Sequence, residues 1–191
     1  MTVHRFADSL AYSHSEADAP YWLEVYQQAF PDMVDMIDLR SHGWHQKAGR
    51  DRAIVLSTGR SLYVDEKVRK KVYDDISVEV WSVYPRDGHQ PWRPVAGAQP
   101  GWAVTPKDCD YLAYAFKPTQ TCHLFPYFSI RAAWTKHGGT WIAKAQADED
   151  GYRWVAADNR DWWTVSIAVP TQAFRAYIED SLTITWSSYD H

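Results

Sequence analysis

The sequence predicts a mixed α/β fold, with a central mixed sheet flanked by helices and extra strands and a helix at the C-terminal end. Two observations lead there. Runs with the period-two alternation of strands interleave with segments whose apolar residues recur every three to four positions. In addition, 29 of the 191 residues are aromatic (11 Trp, 12 Tyr, 6 Phe), too many for a chain that buries nothing. At 22.1 kDa the length suits a single domain, residues 1–191, with a core over about 15–136 and a β-rich extension over about 137–191.

Residues 18–30 carry the first helical pattern. Asp18 serves as its N-cap, Pro20 falls in the tolerant first turn, Trp22, Leu23, Tyr26 and Phe30 form one stripe, and Pro31 ends it. Residues 53–57 (AIVLS) and 61–68 (SLYVDEKV) are β-rich runs joined around Thr58-Gly59, the pattern of a hairpin. A further strand is expected over 76–82, where Ile76, Val78 and Val80 alternate with Ser77, Glu79 and Trp81. Residues 83–103, with Pro85, Pro91, Pro94 and Pro100, suit a long surface loop.

The second half continues the mixture. Residues 111–116 (YLAYAF) and 121–125 (TCHLF) read as buried strands, and 127–136 as a short helix opened by Pro126. A hairpin is expected from 140–146 and 152–157, turning at Asp148, Glu149, Asp150 and Gly151. Residues 162–169 (WWTVSIAV) form a strand, and Thr171 caps a last helix bearing Phe174, Tyr177 and Ile178.

No stretch approaches the roughly 18–20 apolar residues that a bilayer requires, so no membrane partner is expected. The N-terminus has neither the basic nor the apolar region of a secretory signal. Cys109 and Cys122 are too few for a disulfide scaffold and imply reduced thiols in the cytoplasm. No glycine-rich phosphate loop and no serine-nucleophile motif occurs. Cys109, Cys122 and His123 match no common structural-zinc spacing.

The net charge of −4 conceals an asymmetry. Between Arg40 and Lys71 stand nine basic residues (Arg40, Lys47, Arg50, Arg52, Arg60, Lys67, Arg69, Lys70, Lys71) against three acids, a local excess of +6. Such a segment is either a solvated hairpin or a footprint for phosphate. Arg50, Arg52, Arg60, Arg69, Lys70 and Lys71 are its candidate nucleic-acid contacts. His42 and His45 flank it and have the chemistry to bind phosphate or act as a base.

Within that segment lie Asp51 and the triplet Asp65-Glu66-Lys67. Alternation puts Asp65 and Lys67 on one face of a strand and Glu66 on the other. Fourteen residues separate Asp51 from Asp65, enough for a hairpin whose open ends meet. Two adjacent carboxylates repel and require a proton or a divalent cation, and all-oxygen ligands favour Mg²⁺ or Mn²⁺. A lysine beside them orients a water and offsets charge that develops on a phosphorane-like transition state. A two-residue turn at Thr58-Gly59 would set Asp51 opposite Glu66, whereas a three-residue loop with a bulge would return it to the face of Asp65. The sequence leaves both registers open.

Asp51 followed by Asp65-Glu66-Lys67 resembles the D…(D/E)-x-K signature of the PD-(D/E)XK, or restriction-endonuclease-like, nuclease superfamily. The run over residues 43–82, with PGW at 100–102 and DYLAYAF at 110–116, is similar to small phage- and prophage-type members. The resemblance covers about half of the chain. Arg50 stands where the family's proline would precede the first acid. The resemblance implies an αβββαβ core and metal-dependent hydrolysis of phosphodiester bonds, with DNA the expected substrate and RNA an alternative. It implies Asp51 and Asp65 as Mg²⁺ or Mn²⁺ ligands and Lys67 as the residue that positions water, and, since many relatives cut as dimers, a homodimer is a candidate assembly. If the gene is phage-borne, the compartment is the host cytoplasm. Glu79, also fourteen residues beyond Asp65, is either a further metal ligand, in a second frame of the motif where Trp81 takes the lysine's place, or a solvated strand residue. Glu24 on the first helix is a weaker candidate.

Two other readings compete. One is a nucleic-acid-binding protein of the same fold without cleavage activity. The other is a tryptophan-rich carbohydrate- or protein-binding module. Trp22, Trp81 and Trp134 are expected in the core, Trp92 and Trp102 in the proline-rich loop are candidates for stacking on bases or sugars, and Trp162-Trp163 projects rings to both faces of a strand.

Overall fold

The computed structural model describes residues 2–5, 12, 15–16, 19–41, 43–86 and 92–187; Asp18, His42 and Pro91 lie outside the described residues. Its contacts divide the chain into two compact units. One gathers Met1–Ala11, Asp74–Pro106 and Ser129–Tyr177, and the other gathers Tyr12–Tyr73, Lys107–Phe128 and Ile178–His191. The units interleave along the chain, so no single cut near residue 136 separates them. Each has its own sheet, and the class is mixed α/β.

The first unit is built on five strands in the order β1-β9-β10-β5-β6, namely β1 (Thr2–Arg5), β9 (Arg153–Asp158), β10 (Trp162–Pro170), β5 (Asp75–Pro85) and β6 (Gln99–Pro100). β1 runs parallel to β9, and the other pairs are antiparallel. Ile76, Val78 and Val80 of β5 are buried as their alternation requires, as are Ile167 and Val169 of β10. The helix expected to end at 136 continues as α3 (Tyr127–Ala147), so 140–146 is helical and no strand forms there. The cause is legible in retrospect. Trp141 and Ala145, four apart, are both buried, and Ala143, Lys144, Ala145 and Gln146 are good helix formers. Gly138 sits inside this helix because a Cβ there would come within 2.9 Å of the Trp134 ring. Trp141 in turn meets Phe174 of α4 (Thr171–Tyr177), with ring centroids 5.8 Å apart.

Trp92 and Trp102, expected as exposed stacking groups, are instead buried. The proline-rich stretch folds back along β5, where Gly101 donates to the Val80 carbonyl at 2.7 Å and Trp102 is carried inward behind it. Trp22 is fully buried as expected, whereas Trp81 and Trp134 are half-buried.

The second unit carries six strands in the order β11-β8-β7-β4-β3-β2. These are β2 (Met33–Asp38), β3 (Arg52–Leu56), β4 (Ser61–Arg69), β7 (Tyr111–Phe116), β8 (Thr121–Pro126) and β11 (Leu182–Thr185). All pairings are antiparallel except β4 with β7, whose parallel run needs a long crossover; that connection carries β5 and β6. Two helices precede the hairpin strands, α1 (Tyr21–Ala29) and the short α2 (Gly43–Lys47). β2 escapes the alternation rule because it is an edge strand with a bulge between Met33 and Asp35, leaving Val34 and Ile37 exposed.

α1 covers one face of this sheet. Its Tyr21, Trp22, Val25 and Tyr26 pack on Ile54, Leu62, Val64, Ala113, Ala115, Cys122 and Leu124. Glu66 of β4 lies in the same layer, 7% exposed, and is fully engaged. Arg52 Nε donates to its Oε1 at 2.7 Å, Tyr26 OH donates to the same oxygen at 2.7 Å, and Arg40 reaches Oε2 at 3.3 Å. Burying a carboxylate is costly without such partners.

Truncating Arg52 to alanine would leave Glu66 with its nearest cation missing. The expected cost is about 3–5 kcal/mol of folding stability, whereas Tyr26→Phe, which removes one donor to a charged group, costs about 1.5–3 kcal/mol. Urea denaturation of the two variants beside wild type measures both.

Candidate functional site

The β3–β4 hairpin sets the site. Leu56 donates to the Arg60 carbonyl at 2.8 Å, so the loop is the three residues Ser57, Thr58 and Gly59. Gly59 has φ +82°, the left-handed conformation that such a loop takes at its last position. This loop sets the pairing Val55–Ser61, Ile54–Leu62, Ala53–Tyr63 and Arg52–Val64. Asp51 stands just before β3, beyond the Arg52–Val64 pair, and this register returns its carboxyl to the side of Asp65. Asp51 donates its N–H to Val64 O at 2.9 Å, and its Oδ2 accepts the N–H of Glu66 at 2.8 Å.

The two carboxyls share a hydrogen bond, and their proton affinities are driven apart. Burial first, then the charge of Asp65, pushes Asp51 up to about 7, against the opposing pull of Lys67 and the Glu66 N–H. Burial alone would raise Asp65 as well. Lys67 and Lys107 instead hold its carboxyl below the ordinary carboxylate range, and its hydrogen bond with Asp51 adds to this. Below about pH 7, therefore, Asp51 carries the proton of the pair.

Asp65 is 3% exposed and lies between two lysines. Lys67, two residues on, forms an ion pair with Oδ1. Lys107 reaches Oδ2 at 3.3 Å. Sequence reading missed Lys107, since it is 42 residues from Asp65 and no spacing rule joins them. Cys109 lies in the same surroundings. Burial, then the Asp65 charge, pushes its thiol up to about 12, so it stays protonated at neutral pH.

The basic segment is partly spent inside the unit. Arg52 and Arg40 are committed to Glu66, so the guanidinium of Arg52 does not stand at the surface. Arg50 pairs with Asp108, donates from Nε to the Asp108 carbonyl at 2.8 Å, and lies over the rings of Tyr63 (4.0 Å) and Trp44 (5.2 Å). Arg69 lies over Tyr73 and Tyr114. Arg60, Lys70 and Lys71 are exposed. Trp44, absent from the sequence-based candidates, is 67% exposed on α2, with His45 edge-on beside it.

Glu79 belongs to the other unit, on β5 opposite Ser166 of β10 and against Gly101. Glu24 accepts the N–H of Ser187 at 3.0 Å and so fastens the segment after β11. His123 bonds Thr183 at 2.9 Å, and Cys122 is buried. Among the described residues, no three of His, Cys, Asp and Glu come together as a ready-made metal cage, and no helix is long and apolar enough to cross a membrane.

Comparison with protein-family models, curated proteins and solved structures returns no match.

Asp51 binds its proton more tightly folded, at about 7, than unfolded, at about 3.9. The stability it contributes is therefore complete below about pH 4 and is lost as pH rises through 7. Asp51→Asn removes that loss and keeps an oxygen for the Glu66 N–H. In metal-free buffer the variant should be more stable than wild type at pH 8 by a few kcal/mol, at about 1.4 kcal/mol per tenfold change in proton affinity. The gap should close towards pH 4; chemical denaturation across that range gives the curve.

Proposed function

We propose that this protein is a metal-dependent phosphodiesterase acting on nucleic acid, with DNA the expected substrate, and that its second unit is a restriction-endonuclease-like core. The observation that carries the reading is the Asp51–Asp65 pair with Lys67 on Asp65. Three residues chosen by motif spacing share one face at the open end of one hairpin. The order of elements supports it in part: α1 is followed by β2, β3 and β4, with β7 then parallel to β4, but the short α2 stands between β2 and β3. The crossover between them carries strands of the other unit where the family would have a helix, which is a departure from the pattern.

The donors suit a hard divalent cation. Asp51 and Asp65 are both oxygen ligands, and a pair that shares a proton is relieved by a cation that replaces it. Mg²⁺ commonly takes one or two carboxylates and completes its shell with water and substrate phosphate, so two acids suffice to hold it. When bound, the ion supplies a polarised phosphate and a more acidic water. The chain's own groups do the rest. Lys67 orients the attacking water and offsets charge on the transition state, while Arg60, Lys70 and Lys71 offer exposed cations to flanking phosphates.

A nucleic-acid binder without turnover is the second reading, and the same acids distinguish it. The carbohydrate- or protein-binding reading loses its support from Trp92 and Trp102, which are buried.

Supercoiled, linear and single-stranded DNA, with an RNA control, should be cut in Mg²⁺ or Mn²⁺ by wild type. Lys67→Ala should keep metal binding yet lose about 10²-fold or more in rate, and Asp65→Ala should lose both. Cutting that survives Asp65→Ala would remove this site from the reaction. Raising salt from about 50 to about 200 mM should weaken DNA binding about 20- to 40-fold if three exposed cations meet phosphate. A flat response in a filter-binding titration would show that they do not.

A further inference from the structure

Both carboxylate oxygens of Asp65 already have a cation, Lys67 on Oδ1 and Lys107 on Oδ2. A metal ion entering between Asp51 and Asp65 competes with both lysines for these oxygens. The two differ in how they are held. Lys67 is part of β4 and two residues from the acid it pairs with. Lys107 arrives from the segment before β7 and makes the longer contact, 3.3 Å, while the Lys67 side chain is the more exposed of the two.

That segment is pinned on the stretch leading into Asp51. The Lys107 N–H donates to Tyr127 OH at 3.1 Å, and Asp108 donates to the Ala48 carbonyl at 2.9 Å. Asp108 in turn receives Arg50, the residue before Asp51. The Lys107 stem crosses Gly49, where a Cβ would sit 2.5 Å from Lys107 Cδ and where φ is +75°. The glycine both takes the left-handed turn and leaves the groove through which the lysine reaches Asp65.

We propose that Lys107 is an exchangeable counter-ion of the site. Without metal it neutralises Asp65; when a divalent cation binds, it is released from Oδ2 and turns to the phosphate of the bound nucleic acid. The proposal rests on the metal-dependent reading of the site, and it assigns Lys107 opposite effects on two ligands. It competes with the cation and it assists the polyanion.

The test uses Mn²⁺ and a short DNA duplex with the full chain, comparing wild type with Lys107→Met and Lys107→Arg. Calorimetric Mn²⁺ titration without DNA should show Lys107→Met binding on the order of tenfold tighter, since one unit charge a few ångströms away has been removed. Lys107→Arg, which keeps the charge, should stay near wild type. In non-cleaving Ca²⁺, Lys107→Met should bind the duplex about threefold or more weakly, through one lost phosphate contact. Mn²⁺ affinity unchanged or weakened in Lys107→Met would overturn the exchange and leave Lys107 as a residue that merely positions Asp65. Absence of Mn²⁺ binding by every form, wild type included, would instead sink the metal-dependent reading and this proposal with it.

Discussion

Everything placed at the candidate site depends on one constraint, the odd length of the loop between β3 and β4. Three residues, Ser57 to Gly59, set Arg52 against Val64, and that register brings the Asp51 carboxyl to Asp65. A loop one residue shorter would pair Asp51 with Glu66 and move the whole of β4 by one pleat. Leu62, Val64 and Glu66 would then leave the layer beneath α1, and Tyr63, Asp65 and Lys67 would enter it. Hydrophobic burial therefore enforces the same register that brings the acids together. Leu62 and Val64 are covered by α1 in this register, and Gly59 takes the left-handed turn of the loop.

The same alternation sorts the charges. On the α1 face, Glu66 is buried among Arg52, Arg40 and Tyr26, each of which supplies a donor. On the other face, Asp65 has two lysines and a neighbouring acid. The local excess of basic residues is thus a poor measure of surface charge. Arg40 and Arg52 are consumed by Glu66, Arg50 by Asp108 and Lys67 by Asp65, and the exposed remainder is small. On the proposed reading, a polyanion approaching this unit would meet a few cations near a pair of acids, and a divalent ion would offset the repulsion from those acids.

The parts legible in the sequence were those decided locally. The strands now seen as β3, β4, β7, β8 and β10 announced themselves by apolar alternation, and the spacing of Asp51, Asp65 and Lys67 pointed to one end of one hairpin. What escaped was decided at a distance. Gly138-Gly139 interrupted the helical pattern, so the second half of α3 read as a strand until Trp141 and Ala145 had a core to face. Arg52 counted as a surface cation because nothing local shows that Glu66 lies diagonal to it beneath a helix. Lys107 reaches Asp65 only because β4 and β7 pair in parallel across a long crossover, and no window of sequence contains both.

The contrast between the two buried acids is itself an argument about where chemistry belongs. Glu66 is solved as a folding problem: Arg52, Arg40 and Tyr26 each give it a donor. Asp51 and Asp65 are not solved in that way. The fold sets two carboxyls against each other, pushes one up to about 7 and has to restrain the other with two lysines. A pair of apolar residues at the mouth of the hairpin would avoid that conflict. Where a unit sets two carboxyls against each other and drives their proton affinities apart, that spot is the candidate for function. On the proposed metal-dependent reading, what the Asp51–Asp65 pair takes up is positive, compact and oxygen-seeking, and Lys107 is the group it would release.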